Sequence, residues 1–202
     1  MSDLENNLSL ISLLRHGETT AGKCFLGKTD AELSELGWQQ MKSAELDNDY
    51  DLVISSPLLR CQKFAKQYAS EINRPLRIEA EFREIDFGEW EAKTAEELWQ
   101  TDQLALSGFW SDSIKYTPPG GESLLDFQHR IMNCYTSLLS KAKGKRVLII
   151  CHAGVIKILL CNVLGIELKN MHKLAIDHAG LSQISLWQDA ELTHQVRFIN
   201  RY

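Results

Sequence analysis

A chain of 202 residues with 44% hydrophobic and 24% charged residues has an ordinary globular composition, which argues against disorder, a collagen-like fibre or a coiled-coil rod. It can bury roughly two-thirds of its unfolded surface, so one domain spanning residues 1–202 is expected without disulfides or metal. The net charge of −5 disfavours wholesale binding to nucleic acid or anionic membrane, while leaving room for a small basic pocket.

Residues 1–7 are polar and acidic, with no positive n-region and no small-residue cleavage site. The apolar runs 8–14 and 155–164 are far short of a membrane span. Five cysteines (Cys24, Cys61, Cys134, Cys151, Cys161) form no CxxC pair, which fits reduced thiols and a cytoplasmic location.

Taken in chain order, the run 8–14 is almost wholly apolar, as a parallel strand buried on both faces should be. Segments 51–54 and 146–150 have the same character. Ser56-Pro57 predicts an N-cap with Pro at the first helical position, ahead of Leu58, Cys61, Ala65, Tyr68 and Ile72 on one face. Thr94 and Glu97 have capping-box spacing and predict a shorter helix. Pro118, Pro119, Gly120 and Gly121 predict a turn, with Ser123 as the cap of the next helix. There Leu124, Phe127, Ile131, Cys134, Leu138 and Leu139 keep helical spacing. Near the end the period changes. Leu192, His194, Val196 and Phe198 alternate with polar residues, which predicts a strand joined by a turn at 188–191 to another at 181–187. The sum is an α/β three-layer sandwich: a mostly parallel central sheet, helices on both faces and an antiparallel edge.

In such sheets ligands sit beyond the carboxyl ends of the strands. The first strand runs into Arg15 and His16, the second into Ser56 and Arg60, and the later one into Cys151, His152, Ala153 and Gly154. Two Arg and two His at equivalent strand ends make a compact cationic pocket. Arg offers a rigid fork of donors suited to phosphate oxygens, and His can be a nucleophile. Singly, each piece also fits a solvated loop or a helix cap. Neither explains their joint placement.

These residues resemble the histidine phosphatase superfamily, with its phosphoglycerate mutase-like fold. The likeness lies in Leu14-Arg15-His16-Gly17-Glu18, then Gly27 to Asp30, Ser56-Pro57-Leu58-Leu59-Arg60, the segment Arg83 to Glu91, Pro119 to Ser123, and His152-Ala153-Gly154-Val155. It implies a phosphomonoesterase in which His16 is the nucleophile. Arg15, Arg60 and His152 would hold the phosphoryl oxygens, with Gly22 and Ala153 at phosphate-contacting positions. It implies no metal or cofactor, a small-molecule phosphate monoester as substrate, and no nucleic-acid or membrane partner; a homodimer is compatible with it. The residues alone leave three acids open in the segment 83–91, Glu84, Asp86 and Glu89. The resemblance selects Glu84 as general acid and base. Within the family, Pro118 to Ser123 and Cys151 to Ile156 look most like the alpha-ribazole phosphatases.

Three positions depart from the family pattern. Gly22 stands where many members have an Asn that touches phosphate, with Lys23 and Lys28 as candidate substitutes. Phe64 replaces a usual Thr, as a packing change, and Ala153 replaces a common Gly. Trp90, Trp99, Phe109 and Trp110 fit either a substrate wall or core; the remaining histidines, His129, His172, His178 and His194, have no motif support.

Rival readings remain in view. Cys151 followed by Lys157 has the outline of a cysteine phosphatase loop, but Lys cannot replace the bidentate Arg. That makes Cys151 a small buried residue at a strand end. A non-catalytic phosphate-binding member should lack His16 or an Arg. A broad-specificity phosphatase or a phosphoglycerate mutase would share most of the pattern, although the short stretch 91–117 offers little cover against water.

Overall fold

The structure is a computed structural model and describes residues 8–188 and 192–202. Its sheet has six strands: β1 (Leu8–Arg15), β2 (Leu52–Ser55), β3 (Leu76–Ile78), β4 (Arg146–Cys151), β5 (Leu181–Gln188) and β6 (Leu192–Arg201), in the order β3-β2-β4-β1-β5-β6. The pairs β2–β3, β2–β4 and β1–β4 are parallel, while β5 is antiparallel to both β1 and β6. This is the expected architecture, antiparallel edge included. Of the turn expected at 188–191, Gln188 is instead the last residue of β5, paired with Leu192, and residues 189–191 lie outside the described residues.

The central strands are apolar on both faces because helices cover both. Leu13, Val147 and Ile149 point into one cluster with Phe127, Ile131 and Tyr135 of α5 (Leu124–Leu139) and Ile156, Leu159 and Leu160 of α6 (Ala153–Leu164). Their sequence neighbours Leu14, Leu148 and Ile150 point the other way. They meet Met41 of α1 (Glu35–Ser43) and Cys61, Phe64 and Ala65 of α2 (Leu59–Glu71). Adjacent strand residues thus serve opposite layers, the period of two expected of a pleated sheet. A smaller cluster of Trp90, Leu98, Leu106 and Phe109 forms around α3 (Ala95–Thr101) and α4 (Gln103–Ser111). No helix among the described residues is long and apolar enough to cross a membrane.

Local signals hold at two helix starts. Thr94 and Glu97 form the capping box of α3, and Ser123 accepts from Asp126 N to cap α5. At α2 the expectation needs correction. The helix begins at Leu59, its N-cap is Leu58, and Ser56 and Pro57 lie before it. Ser56 Oγ accepts from the Leu58 N–H at 3.3 Å, ahead of the helix, and lies 2.7 Å from His152 Nε2, while the Leu59 N–H donates to Asp30 Oδ1 at 2.6 Å. A carboxylate from a distant loop therefore does the work of the local cap. Ile72 closes this helix as its C-cap.

Candidate active site

Sheet register brings the site together. Arg15 of β1 pairs with Cys151 of β4, and His16 N donates to Cys151 O, so His16 and His152 leave the sheet in step. Their rings meet edge to face with centroids 5.2 Å apart. On the other side of β4, Ser56 N donates to Ile150 O and carries the chain into α2, where Arg60 sits in the first turn. Three neighbouring strand ends thus supply Arg15, His16, Arg60 and His152, as the strand-end reasoning anticipates.

His16 is buried, and its Nδ1 lies 2.7 Å from the Gly17 carbonyl. A carbonyl only accepts, so Nδ1 carries the proton and Nε2 keeps a lone pair. Burial, then the Arg60 and Arg15 guanidinium groups, push the imidazole well below its ordinary range. A neutral imidazole with its Nε2 lone pair free has the chemistry a nucleophile needs.

Behind it, Arg60 and His152 are both fully buried. Arg60 donates to the carbonyls of Thr29 at 2.8 Å and Gly27 at 2.7 Å, and through Nε to His152 Nδ1. The loop offering those carbonyls is held in turn by Glu91. Its carboxylate accepts from the N–H groups of Gly27, Lys28, Thr29 and Phe87. Neither Arg60 nor His152 is on the wall of the open pocket. That pocket, about 400 Å³, is lined by Arg15, His16, Gly22, Lys23, Glu84 and His178 among others.

Glu84 is the one acid of its segment that enters the site. It is 8% exposed and its carboxylate accepts from Gly154 N at 3.1 Å and its neighbour Ile85 N at 3.0 Å. Glycine leaves room for this approach: a Cβ on residue 154 would lie 2.3 Å from Glu84 Oε1, so the carboxylate would have to shift. Asp86 is paired with Lys28 at 2.8 Å, and Glu89 is exposed. Glu84 also borders a second cavity of about 230 Å³, walled by Phe25, Phe87, Phe109, Trp110, Ala153 and Lys157.

The remaining positions sort as follows. Gly22 lines the open pocket with a left-handed φ of 70°, and no atom lies within 4 Å of where its Cβ would be. Of its candidate substitutes, Lys23 lines the pocket and Lys28 is engaged by Asp86. Ala153 lies on the aromatic cavity instead, as the first residue of α6. Trp90 is core, whereas Phe109 and the half-exposed Trp110 face that cavity, with Trp99 stacked on Trp110. Phe64 is the expected packing change, stacked on Tyr68. Cys151 ends β4 fully buried, and burial raises its thiol well above the ordinary range, which disfavours a thiolate there. His178 was not singled out by sequence, yet it lies on the pocket wall. No local signal marks it, since its partner is Arg15, 163 residues away.

Residues 11–197 match the family model of the histidine phosphatase superfamily (branch 1). The chain belongs to that family. It is 28% identical over 181 residues to the adenosylcobalamin/alpha-ribazole phosphatase of Escherichia coli K12, covering 87% of this chain and 89% of that protein. It is 30% identical over 195 residues to a bifunctional protein of Mycobacterium tuberculosis, covering 94% of this chain but only 53% of that longer protein. The crystal structure of the alpha-ribazole phosphatase from Shigella flexneri superposes with a TM-score of 0.84 at 27% identity, over 95% of this chain and 96% of that one.

Proposed function

We propose that this histidine phosphatase hydrolyses phosphate monoesters through a phosphohistidine on His16, and that alpha-ribazole 5′-phosphate, an intermediate of cobalamin synthesis, is its substrate. The observation that carries the reading is the position of Glu84, which borders both the cationic pocket of Arg15 and His16 and the aromatic cavity beside it. A monoester spanning the two would set its phosphoryl group at His16 and its leaving oxygen at Glu84.

In the first half-reaction His16 Nε2 attacks phosphorus as the bond to the leaving oxygen breaks, and Glu84 delivers the proton that oxygen needs. In the second, water attacks the phosphohistidine, Glu84 takes its proton, and the P–N bond breaks to free phosphate. Arg15 holds the charge of the transferring group directly. Arg60 and His152 act from behind the nucleophile: Arg60 supplies positive charge there and His152 packs against the His16 ring.

The aromatic walls of the second cavity, Phe25, Phe87, Phe109 and Trp110, suit a planar heterocycle such as the base of alpha-ribazole. The family likeness to alpha-ribazole phosphatases supports the same substrate. Lys157 favours a second reading. It is a cation half-buried in that cavity, which alpha-ribazole does not require, and it suits a broader small-molecule phosphatase whose esters carry a carboxylate.

The test is kcat/KM across alpha-ribazole phosphate, sugar phosphates, nucleotides and phosphoglycerates, without added metal. Alpha-ribazole phosphate should lead by about tenfold or more. A phosphoglycerate or other carboxylate ester in first place would transfer the assignment to the second reading.

A further inference from the structure

The Arg15 guanidinium is tethered through both of its terminal nitrogens. Nη1 donates to the Ile176 carbonyl at 2.7 Å, and Nη2 to His178 Nε2 at 2.9 Å. A guanidinium cannot accept, so His178 Nε2 carries the lone pair and the ring proton is on Nδ1. Arg15 Nε is buried and has no hydrogen-bond partner among the described residues.

The segment carrying these two tethers is itself clamped to the nucleophile. Arg15 N donates to Gly180 O, and Ala179 N donates to His16 O. From the other side, Asp177 N donates to Asn200 Oδ1 at 2.8 Å, and the Asp177 carboxylate accepts from Asn200 and Tyr202. The end of β6 therefore anchors a brace, and the brace grips Arg15-His16 by backbone and side chain together.

We propose that His178 is a positioning residue: neutral and protonated on Nδ1, it fixes the plane of the Arg15 guanidinium, whose Nε–H and remaining N–H groups are thereby aimed for a phosphoryl group. The inference rests on the reading that Arg15 holds that group. An arginine with a free side chain would lose rotamer entropy on each binding event; a pre-aimed one does not. The neutral form matters because a protonated imidazole has no acceptor left for Nη2 and would repel Arg15. The charged and titratable neighbours of His178 are Arg15, Lys23, Glu18, Asp177 and His16. Burial and Arg15 bring its pKa down to about 4, so the accepting form prevails at neutral pH.

The experiment combines inorganic phosphate binding with ring NMR of His178 in the full chain at neutral pH. His178→Leu should weaken phosphate binding and lower kcat/KM by about tenfold each, the loss of one charge-assisted hydrogen bond. His178→Asn, which offers Oδ1 as acceptor, should recover most of that loss. Carbon and nitrogen ring shifts should report the Nδ1-protonated tautomer, and Arg15→Ala should raise the His178 pKa towards the ordinary range. Wild-type phosphate binding in His178→Leu, beside a large loss in Arg15→Ala, overturns the brace alone, as does a proton found on Nε2. Unchanged phosphate binding in Arg15→Ala overturns the reading of the pocket, and the brace with it.

Discussion

Arg60 Nε donates to Nδ1 of His152 across 3.3 Å, and this one contact sets the protonation of the second histidine. Because arginine only donates, His152 accepts at Nδ1, so the ring proton of its neutral form is on Nε2, 2.7 Å from Ser56 Oγ. The same guanidinium is tied to the loop carbonyls of Gly27 and Thr29. Arg60 therefore organises two elements at once while placing a buried positive charge behind His16.

That double duty predicts a severe phenotype for loss of the fork. Arg60→Ala should lower kcat/KM by at least about a hundredfold. Arg60→Lys should recover little, because one ammonium cannot meet His152 and two separated carbonyls in one plane. Steady-state kinetics on an aryl phosphate suffices, and near-wild-type values for Arg60→Ala would remove it from the mechanism.

Glu84 as proton donor predicts a dependence on the leaving group. Glu84→Ala should cost most with alkyl phosphates and much less with activated aryl phosphates, whose leaving oxygen scarcely needs a proton. Gly154→Ala should reproduce this pattern in weaker form, since the new methyl would crowd Glu84 Oε1. Asp86→Ala and Glu89→Ala should not change the dependence. Plots of kcat/KM against leaving-group pKa decide it; equal slopes for wild type and Glu84→Ala would assign proton transfer to another group.

Much of this arrangement was legible in the chain. Dominantly apolar runs at 8–14 and 146–150 revealed β1 and β4, because a strand buried on both faces has few polar positions, here the small buried Ser9 and Ser12 and the leading Arg146. Thr94 and Ser123 announced their helices through local hydrogen bonds. By contrast α1 buries only Gly37 and Met41, and β3 is a three-residue edge, so neither left a readable period. The start of α2 lies later than Ser56 suggests, because Ser56 Oγ is shared between the Leu58 N–H and His152 while Asp30 meets the first helical N–H. Among the site residues, Arg15, His16, Arg60 and His152 follow strands that register aligns. His178 and Glu91 act through partners far along the chain, and spacing carries no trace of such contacts.

The buried histidines predict acid sensitivity of the fold. Burial, followed by Arg60, holds His16 and His152 neutral far below the ordinary imidazole range. In the unfolded chain each titrates near about 6.5. As pH falls through that value the unfolded state takes up protons that the folded state refuses, so stability declines by up to about 1.4 kcal/mol per pH unit for each. Well above that value, both states hold these rings neutral and the contribution vanishes. Urea unfolding at pH 7.5, 6.5 and 5.5 should show a shallower acid slope in His152→Gln than in wild type. Identical slopes would mean His152 protonates as readily folded as unfolded.

The most direct test of the mechanism is capture of the covalent intermediate. Brief reaction with a labelled aryl phosphate and rapid quenching should leave acid-labile, base-stable phosphate on His16, and His16→Ala should neither trap label nor turn over. Label recovered on Cys151 or any other residue, or a His16→Ala protein with wild-type activity, would contradict the account.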